Sequence, residues 1–512
     1  MPVHFFASAV SSAVPTEYWA TIAASCIAIS FLKTWFKGAK LLDPPSPPAS
    51  TSPPTPPESQ FTDLHGRVVL VASGAFTPLG VVTLSALAHR GAQIIALHPD
   101  ISAPDVVQLI HLIRDSTQSE LIYAEQCDLG SLESVSAFAA LWNSGDKKQQ
   151  EAVRRLDALL FLPPGREELH SVQLDEGGRA GGGTRRREAI YQLHVLARFH
   201  LVNSLLSSLL VQPPDREVRI VSVVSPFYAA GLTHFDVLAP PPTSSNRGKK
   251  DESRSSAAKA PTLQTLSESS YSALVGAASL RWHALTVELQ RRVDLLAEAD
   301  PRPKTKLPGI DVHPSPAPSS KASAAASESI QQQAALRMRQ HSNISIINVC
   351  TGFERSSDII ETFFPAPSPA QSHASILALL RSVLRFVVLL VLWPFIWLLA
   401  KSPATAADGI VWATTRHLEP LSARFDRILA SLSRSPAPSS SSSSSQDPHE
   451  VRKWQDHLIP GELYREGRIV RPNLPPRFTE DKDAWSQLWK QTEHDVEAKV
   501  KQHGGQIKRP DV

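Results

Sequence analysis

The most constraining feature of this chain is the segment 67–80, where a short apolar run breaks at a glycine and an apolar-periodic stretch follows. The run is rich in β-branched residues, which is typical of a buried parallel strand, and the periodic stretch is typical of a helix. Gly74 can take a tight turn without a Cβ penalty, and Gly80 can let the helix pack closely on the strand. The pattern predicts a strand followed by a helix whose N-terminus can face a phosphate group.

Further apolar runs alternate with helical patterns along the chain. Predicted strands lie near 67–73, 92–97, 121–126, 156–162, 218–224 and 344–349. Long helical patterns run from Ile190 to Leu210 and onward from Tyr271. Strands that alternate with helices form parallel sheets covered on both faces, and ligands bind at the carboxyl ends of the strands. The sequence therefore predicts an α/β fold with a doubly wound parallel Rossmann sheet.

In this order of elements and in several short motifs, the chain resembles the short-chain dehydrogenase/reductase superfamily over residues 62–355. The turn from Ser73 to Gly80 is similar to the superfamily's TGxxxGxG, except that Pro78, which has no N–H, replaces the middle glycine. Ser225 ends the fifth predicted strand, and Tyr271 matches the first position of the YxxxK motif. More narrowly, the chain resembles a fungal domain-of-unknown-function family of membrane-associated members.

The resemblance implies a dinucleotide cofactor, NAD or NADP. Gly74 and Gly80 would hold it at the first turn, and Asp128 matches the aspartate whose carboxylate approaches the adenine ring. Gly165 retains the end of the superfamily's NNAG turn. His98 ends the second predicted strand, where an acidic residue would mark a preference for NAD, so the choice between the two cofactors stays open.

The resemblance also implies catalytic roles. Ser225 would polarise a substrate carbonyl, Tyr271 would act as the acid or base, and His194 stands where the superfamily has a structural asparagine. Val275 occupies the lysine position of YxxxK. Because a free tyrosine has a pKa near 10 and the lysine normally lowers it, we expect reduced or absent hydride transfer and negligible alcohol oxidation at neutral pH.

Each of these residues also has a purely structural interpretation. Ser225 can cap the turn that follows its strand, and Asp128 can cap a helix that begins near Ser131. His194 can be a buried, hydrogen-bonded histidine, and Tyr271 an amphipathic residue at a helix start. Two functions therefore stay open. One is a membrane-anchored oxidoreductase acting on a lipid-like carbonyl, and the other is a catalytically inactive scaffold or nucleotide sensor that acts through protein partners.

Two apolar segments lie outside the predicted sheet. The first, 18–32, carries no charge and is followed closely by three lysines, which predicts an N-terminal membrane anchor (1–43) with the sheet domain facing the cytosol. The second, within 374–402, is apolar all round and is interrupted by Pro394. We expect it to contact the membrane as well, with the endoplasmic reticulum or the mitochondrial outer membrane as the location and the lipid bilayer as a partner.

The remaining segments are rich in proline, serine or charged residues, which predicts linkers and disorder. They are the linker 44–61, the insertions 240–262 and 301–341, the Ser-rich linker 435–448 and the charged tail 449–512. We expect the tail to be partly helical and peripheral. The net charge of +3 predicts no nucleic-acid partner, and the three cysteines have no zinc-ligand spacing, which predicts no metal.

Overall fold

In the computed structural model of the chain, the described residues form an α/β core around one sheet. They are residues 19–42, 61–145, 154–165, 168, 182–210, 212, 216–238, 271–299, 329–333, 342–355, 376–418, 429, 457–481 and 483–502. The predicted insertion 240–262 and the Ser-rich linker 435–448 lie outside the described residues, as do nearly all of the linker 44–61 and most of the insertion 301–341.

The predicted strands form the centre of the sheet. They are β1 (Val68–Ser73), β2 (Gln93–His98), β3 (Ile122–Gln126), β4 (Ala158–Phe161), β5 (Val218–Val223) and β6 (Ile344–Cys350). These strands are parallel and lie in the order β3-β2-β1-β4-β5-β6. The order reverses between β1 and β4, and such a switch point opens a crevice at the carboxyl ends of the strands. The doubly wound Rossmann prediction is confirmed.

The C-terminal tail extends this sheet, so the prediction of a peripheral appendage is wrong. β7 (Leu463–Arg465) pairs parallel with β6, and β8 (Arg468–Val470) pairs antiparallel with β7. Each of the two strands is three residues long. Strands this short carry no readable alternation of apolar and polar residues, and β7 pairs with a strand far away in sequence.

Helices flank the sheet. They are α1 (Trp19–Phe36), α2 (Pro78–Ala88), α3 (Pro104–Thr117), α4 (Leu132–Asn143), α5 (Gly182–Tyr191), α6 (Ala197–Leu210), α7 (Phe235–Leu238), α8 (Tyr271–Ala299), α9 (Ile376–Leu399), α10 (Pro403–Thr415), α11 (Arg477–Glu480) and α12 (Asp483–Gln502). A π-helical turn, Gln192–Leu196, joins α5 to α6, and a 3₁₀ helix, Pro226–His234, follows β5.

Apolar side chains on alternate positions of each strand build a separate core on each face of the sheet. One core packs β-strand residues against α4, α6, α8 and α12, and the other packs them against α2 and α10. In α12, Trp489 lies edge-to-face on Phe199 at 4.7 Å between ring centroids, which ties the tail to the first core. α2 and α8 are thereby held with their N-termini at the carboxyl edge of the sheet.

α1 and α9 match the two apolar segments of the sequence, and their described side chains are mostly exposed. Among the described residues, one helical stretch, Arg186–Leu210, is long and apolar enough to cross a membrane, but 72% of its apolar window is buried in the core. Ala23–Thr34 and Phe386–Leu399 are shorter apolar stretches. α1 and α9 therefore differ from the core helices in the exposure of their side chains more than in the length of their apolar stretches.

Candidate functional site

A cavity of about 370 Å³ lies where β1, β4, β5 and β6 end. Its volume falls within the range of roughly 300–1,000 Å³ that is usual for small-molecule sites. Four predicted site residues line it, namely Gly165, His194, Ser225 and Tyr271. Gly74, Gly80 and Asp128 are not among its lining residues, although the turn that joins the two glycines contributes Phe76, Thr77 and Pro78. The structure thus brings the predicted catalytic residues together on one cavity.

The glycine turn after β1 is tightly packed. Gly74 has a φ of +66°, and a Cβ at that position would lie 2.1 Å from the Pro163 carbonyl oxygen. A Cβ at Gly80 would lie 2.1 Å from the Gly74 carbonyl oxygen. Thr77 caps α2 because its Oγ1 accepts the Gly80 N–H at 3.1 Å, and Pro78 occupies the first helical position, where no intrahelical N–H is needed. Both glycines are therefore required by geometry, and Pro78 does not disturb the helix.

Sequence reasoning missed Glu168, which lies against this turn. The Gly74 N–H donates to Glu168 Oε1 at 2.9 Å, and the Gly165 backbone N–H also donates to this carboxylate. Burial raises the pKa of Glu168 to about 7, and the two N–H groups and the Arg198 guanidinium oppose that rise. A carboxylate of the chain itself is therefore bound to the glycine turn. No motif marks Glu168 in the sequence; its position three residues beyond Gly165 is the one available signal.

A second missed residue, Arg198, lies one turn beyond His194 and also lines the cavity. Its guanidinium donates to the Leu162 carbonyl oxygen at 3.1 Å, and burial lowers its pKa to about 10. Burial, with a contribution from Arg198, lowers the pKa of His194 to about 3. Within the described structure, His194 Nε2 and Arg198 Nε are buried without a hydrogen-bond partner. His194 is therefore neutral at physiological pH, and a role in proton transfer stays a prediction.

A π-helical turn contains one of these two cavity residues. It spans Gln192–Leu196 and therefore contains His194. A π-turn widens the helix locally, and such turns are frequent at functional sites. The helical pattern of the sequence predicted the helix but not this local widening, because a single extra residue in a turn does not change the apolar periodicity enough to be read.

Ser225 and Tyr271 lie on the opposite side of the cavity from the glycine turn. Ser225 Oγ accepts the Phe227 N–H at 3.3 Å and so caps the 3₁₀ helix, while the residue also lines the cavity. Tyr271 begins α8, and the Arg186 guanidinium lies 5.6 Å from the centroid of its ring. Val275, one turn along α8, also lines the cavity. Ser225 therefore caps the 3₁₀ helix, as its structural interpretation predicted, and it also lines the cavity.

Arg281 and His283, further along α8, make contacts away from the cavity. Arg281 lies 5.6 Å from the Tyr191 ring centroid and 5.7 Å from that of Phe235. His283 Nδ1 lies 3.1 Å from the Asn348 side-chain nitrogen. Neither residue lines the cavity, so neither replaces the missing lysine of the YxxxK pattern.

Asp128 sits in a turn beyond β3. Its carboxylate accepts the Gly130 N–H at 2.8 Å, and its own N–H donates to Ser134 Oγ at 2.9 Å. The helix cap is Ser131, whose Oγ accepts the Ser134 N–H, so the alternative of Asp128 as the cap is wrong. Its predicted contact with an adenine ring stays a prediction.

Among the described residues, no group of histidine, cysteine or acidic side chains is arranged to hold a metal ion. Cys127 and Cys350 are buried, and burial raises the pKa of both thiols, that of Cys127 to about 12. Thiols in that state are poor nucleophiles and poor metal ligands. Chemistry at this site therefore depends on the hydroxyl, imidazole, carboxylate and guanidinium groups described above.

Comparison with known proteins gives partial matches. No family model matches the chain. An uncharacterized oxidoreductase of Saccharomyces cerevisiae is 31% identical over 160 residues, which are 31% of this chain and 37% of the relative. An uncharacterized oxidoreductase of Schizosaccharomyces pombe is 31% identical over 180 residues, which are 34% of this chain and 43% of the relative. The match thus spans less than half the length of these curated relatives.

A solved short-chain dehydrogenase from Shigella flexneri is 13% identical, with a TM-score of 0.35, over 80% of this chain and 95% of that chain. The narrower resemblance to a fungal membrane-associated family stays a prediction. The architecture is clear from the structure itself, because the sheet order, the glycine turn after β1, and the serine and tyrosine on one cavity occur together. The chain therefore has a doubly wound Rossmann fold.

Proposed function

We propose that this protein is a membrane-associated oxidoreductase that binds NAD(H) or NADP(H) and reduces a lipid-like carbonyl compound. The observation that carries the proposal is the single cavity at the switch point of the sheet, which Ser225 and Tyr271 line together. In open α/β sheets this crevice is where ligands bind. The curated relatives are named as oxidoreductases, which supports the same reaction class.

The residues around the cavity fit a dinucleotide. The α2 N-terminus can face a phosphate, although the Gly74 and Gly80 N–H groups are bound to Glu168 Oε1 and Thr77 Oγ1. Asp128 would approach the adenine ring, as the resemblance implies. The buried His194 Nε2 and Arg198 Nε have no hydrogen-bond partner in the described structure, and both residues line the cavity. When bound, the cofactor supplies or accepts a hydride. Asp105 and His98 also line the cavity and give no preference between NAD and NADP.

The protein's own groups would handle the carbonyl oxygen. The Ser225 hydroxyl would donate a hydrogen bond that polarises the carbonyl, and the Tyr271 hydroxyl would donate the proton that the oxygen gains on reduction. Reduction needs a protonated tyrosine, which is its ordinary state at neutral pH. Oxidation needs the phenolate, and Val275 supplies no charge to favour it. The proposed direction is therefore reduction.

Membrane association rests on α1 and α9, whose apolar side chains are largely exposed. Exposed apolar patches of this size on a soluble protein mark contact with a membrane or with another protein. A substrate with an apolar chain would share that environment, which is why we place the carbonyl on a lipid-like molecule. The location at the endoplasmic reticulum or the mitochondrial outer membrane belongs to the same proposal.

A second function, a catalytically inactive scaffold or nucleotide sensor, is favoured by the Glu168 carboxylate on the Gly74 N–H. This anion and the absence of an N–H at Pro78 both weaken the phosphate site, and Val275 weakens the catalytic one. A scaffold would bind protein partners at the membrane and would use nucleotide, if at all, as a signal.

The experiment is a titration of the purified full-length protein with NADH and with NADPH, followed by nicotinamide fluorescence. The proposal expects saturable binding of at least one of them. Turnover of bound NADPH with a long-chain ketone then separates the oxidoreductase from the scaffold. Saturable binding without any turnover, in wild type and in every cavity variant, would contradict the oxidoreductase and leave the sensor.

A further inference from the structure

The two apolar helices outside the sheet contact each other, and together they form a unit that we call the helix pair (α1 and α9). Lys33 Nζ donates to the Trp397 carbonyl oxygen and lies 4.3 Å from the centroid of the Trp397 ring. Both residues lie near the C-terminal ends of their helices. The helix pair therefore has one shared end where both helices terminate.

The helix pair exposes large apolar side chains along its length. Those more than half exposed include Ile27, Phe31, Phe386, Leu390, Trp393 and Phe395. α1 has 18 residues and α9 has 24, which correspond to lengths of about 27 and 36 Å at a rise of about 1.5 Å per residue. The apolar stretches within them, Ala23–Thr34 and Phe386–Leu399, are shorter, about 18 and 21 Å. A bilayer's hydrocarbon core is about 30 Å thick, so these stretches suit insertion into part of the bilayer.

The shared end of the helix pair is fixed to the carboxyl edge of the sheet. Lys401, which follows α9, donates its N–H to the Phe353 carbonyl oxygen at 2.7 Å and accepts the Arg355 N–H at 3.0 Å. Lys401 Nζ also pairs with Glu466, beyond β7. Gly38, which follows α1, is packed so closely that a Cβ would lie 2.9 Å from Lys401 Cε.

The residues that hold this end also belong to the cavity wall. Gly352 and Glu354, on either side of Phe353, line the cavity. The Phe353 ring is 46% exposed and packs edge-to-face on Phe227, at 5.4 Å between centroids, and Phe227 lines the cavity as well. The apolar rings of Phe353 and Phe227 therefore lie between the backbone that holds the end of α9 and the cavity.

Cations surround the same end. Lys37 and Lys40 are exposed just beyond α1, and Arg355 lies close enough to Lys33 for the two charges to interact. Lysine and arginine at the edge of an apolar segment match the anionic headgroups at a membrane surface, at about 1 kcal/mol for each residue near the surface. The charge pattern identifies a phospholipid bilayer, rather than a second protein, as the surface that the helix pair enters.

We propose that the carboxyl edge of the sheet faces this bilayer, and that the substrate reaches Ser225 and Tyr271 directly from the lipid, past Phe353 and Phe227. The inference rests on the proposed function and names the route and the substrate class, a bilayer-resident molecule with a carbonyl group on an apolar chain. The helix pair serves as more than an anchor, because it fixes the mouth of the cavity against the membrane.

The test places an environment-sensitive fluorescent label on the full-length chain at Phe353→Cys or, as the control, at Leu141→Cys. Both are made with Cys26→Ser, since Cys26 is exposed whereas Cys127 and Cys350 are buried. Leu141 is 63% exposed near the C-terminal end of α4, which runs back to the opposite edge of the sheet. A second label at Arg355→Cys covers the possibility that the Phe353 variant folds poorly.

The labelled proteins are reconstituted into vesicles of phosphatidylcholine and phosphatidylserine, with ordinary or brominated acyl chains. The inference expects brominated lipid to quench the labels at 353 and 355 several-fold more strongly than the label at 141. Equal quenching at all three positions in vesicle-bound protein overturns the orientation and leaves membrane association intact. Protein that does not associate with vesicles overturns both, and NADPH titration of the same samples tests the cofactor proposal separately.

Discussion

We call the part of the cavity next to the turn 74–80 the glycine-turn end and the part next to Ser225 and Tyr271 the hydroxyl end. These two ends depart from the superfamily pattern in opposite ways. At the glycine turn the backbone geometry is retained, with Gly74 and Gly80 both required by packing, but the chain's own Glu168 carboxylate accepts the Gly74 N–H. At the hydroxyl end the reacting groups Ser225 and Tyr271 are retained, but no lysine accompanies them. Under the proposed function we therefore expect separate residues to weaken cofactor affinity and catalysis, so that each can be changed on its own.

The largest expected effect is at the hydroxyl end. Tyr271→Phe should lower carbonyl reduction by about 10²- to 10⁴-fold, since it removes the proton donor and general acids contribute by that amount. NADPH affinity should stay within about twofold, because the phenol belongs to the opposite end of the cavity. Tyr123→Phe, at an exposed position on β3, is the matched control. Unchanged reduction in the Tyr271 variant would mean that the tyrosine is structural.

The next effect concerns stability at the glycine-turn end. The folded-state pKa of Glu168, about 7, lies above its ordinary value of 4.5, so the folded protein binds this proton more tightly than the unfolded chain does. The stability that this group contributes is therefore fully present below pH 4.5 and is lost as the pH rises from there to about 7. The loss is on the order of 3 kcal/mol.

Glu168→Gln should remove this loss. The free energy of unfolding of the variant, relative to that of wild type, should therefore be higher at pH 8 than at pH 5. Urea unfolding at the two pH values measures the difference. Arg198 and Asp128 are the charged groups that act on this carboxyl, in opposite directions, and neither changes in the variant. An equal pH dependence in wild type and variant would show that Glu168 is not held at the buried turn.

Cofactor affinity should change by a smaller factor. Glu168→Gln should tighten NADPH binding about tenfold at pH 8, because a neutral amide removes the repulsion between the Glu168 carboxylate and a phosphate at the glycine turn. At pH 6 the gain should shrink, since wild-type Glu168 is then mostly protonated. Asp105→Asn removes the same charge from another acid at the cavity and should leave affinity nearly unchanged. Equal gains in both variants would indicate a general charge effect.

The smallest expected effect is at position 275. Val275→Lys should raise alcohol oxidation near neutral pH by a few-fold over Val275→Met, which has a similar length but no charge. An ammonium one helical turn from Tyr271 favours the phenolate that oxidation needs. Robust oxidation by the unmodified protein, lost in Tyr271→Phe, would show that the lysine is dispensable and that the nearby Arg186 deserves the same test.

The parts of this fold that could be predicted are those with local, repeated signals. The six central strands are short apolar runs between turn residues, and α8 begins at Tyr271 as its periodicity indicates. β7 and β8 could not be predicted, because each has three residues in a charged segment and β7, on which β8 pairs, joins the sheet by pairing with the distant β6. Sheet pairing over such a distance leaves no local pattern.

The site shows the same division. Ser225, Tyr271 and Val275 were found because a motif fixes their spacing, and all three line the cavity. Glu168 and Arg198 belong to no motif, and their importance comes from burial and from each other's charge. Those properties exist only after the chain has folded, so the position of Glu168 three residues beyond Gly165 does not by itself identify it as the carboxylate on the glycine turn.

The central claim is that one cavity joins the glycine turn to the reacting hydroxyls and holds a nicotinamide dinucleotide across both. Hydrogen–deuterium exchange of the full-length protein, with and without saturating NADPH, tests it directly. The account predicts slower exchange on binding both in the peptide that covers 74–82 and in the peptide that covers 222–228, with 132–143 unchanged as the internal control. Protection confined to one of the two ends, or located elsewhere in the sheet domain, would contradict the claim.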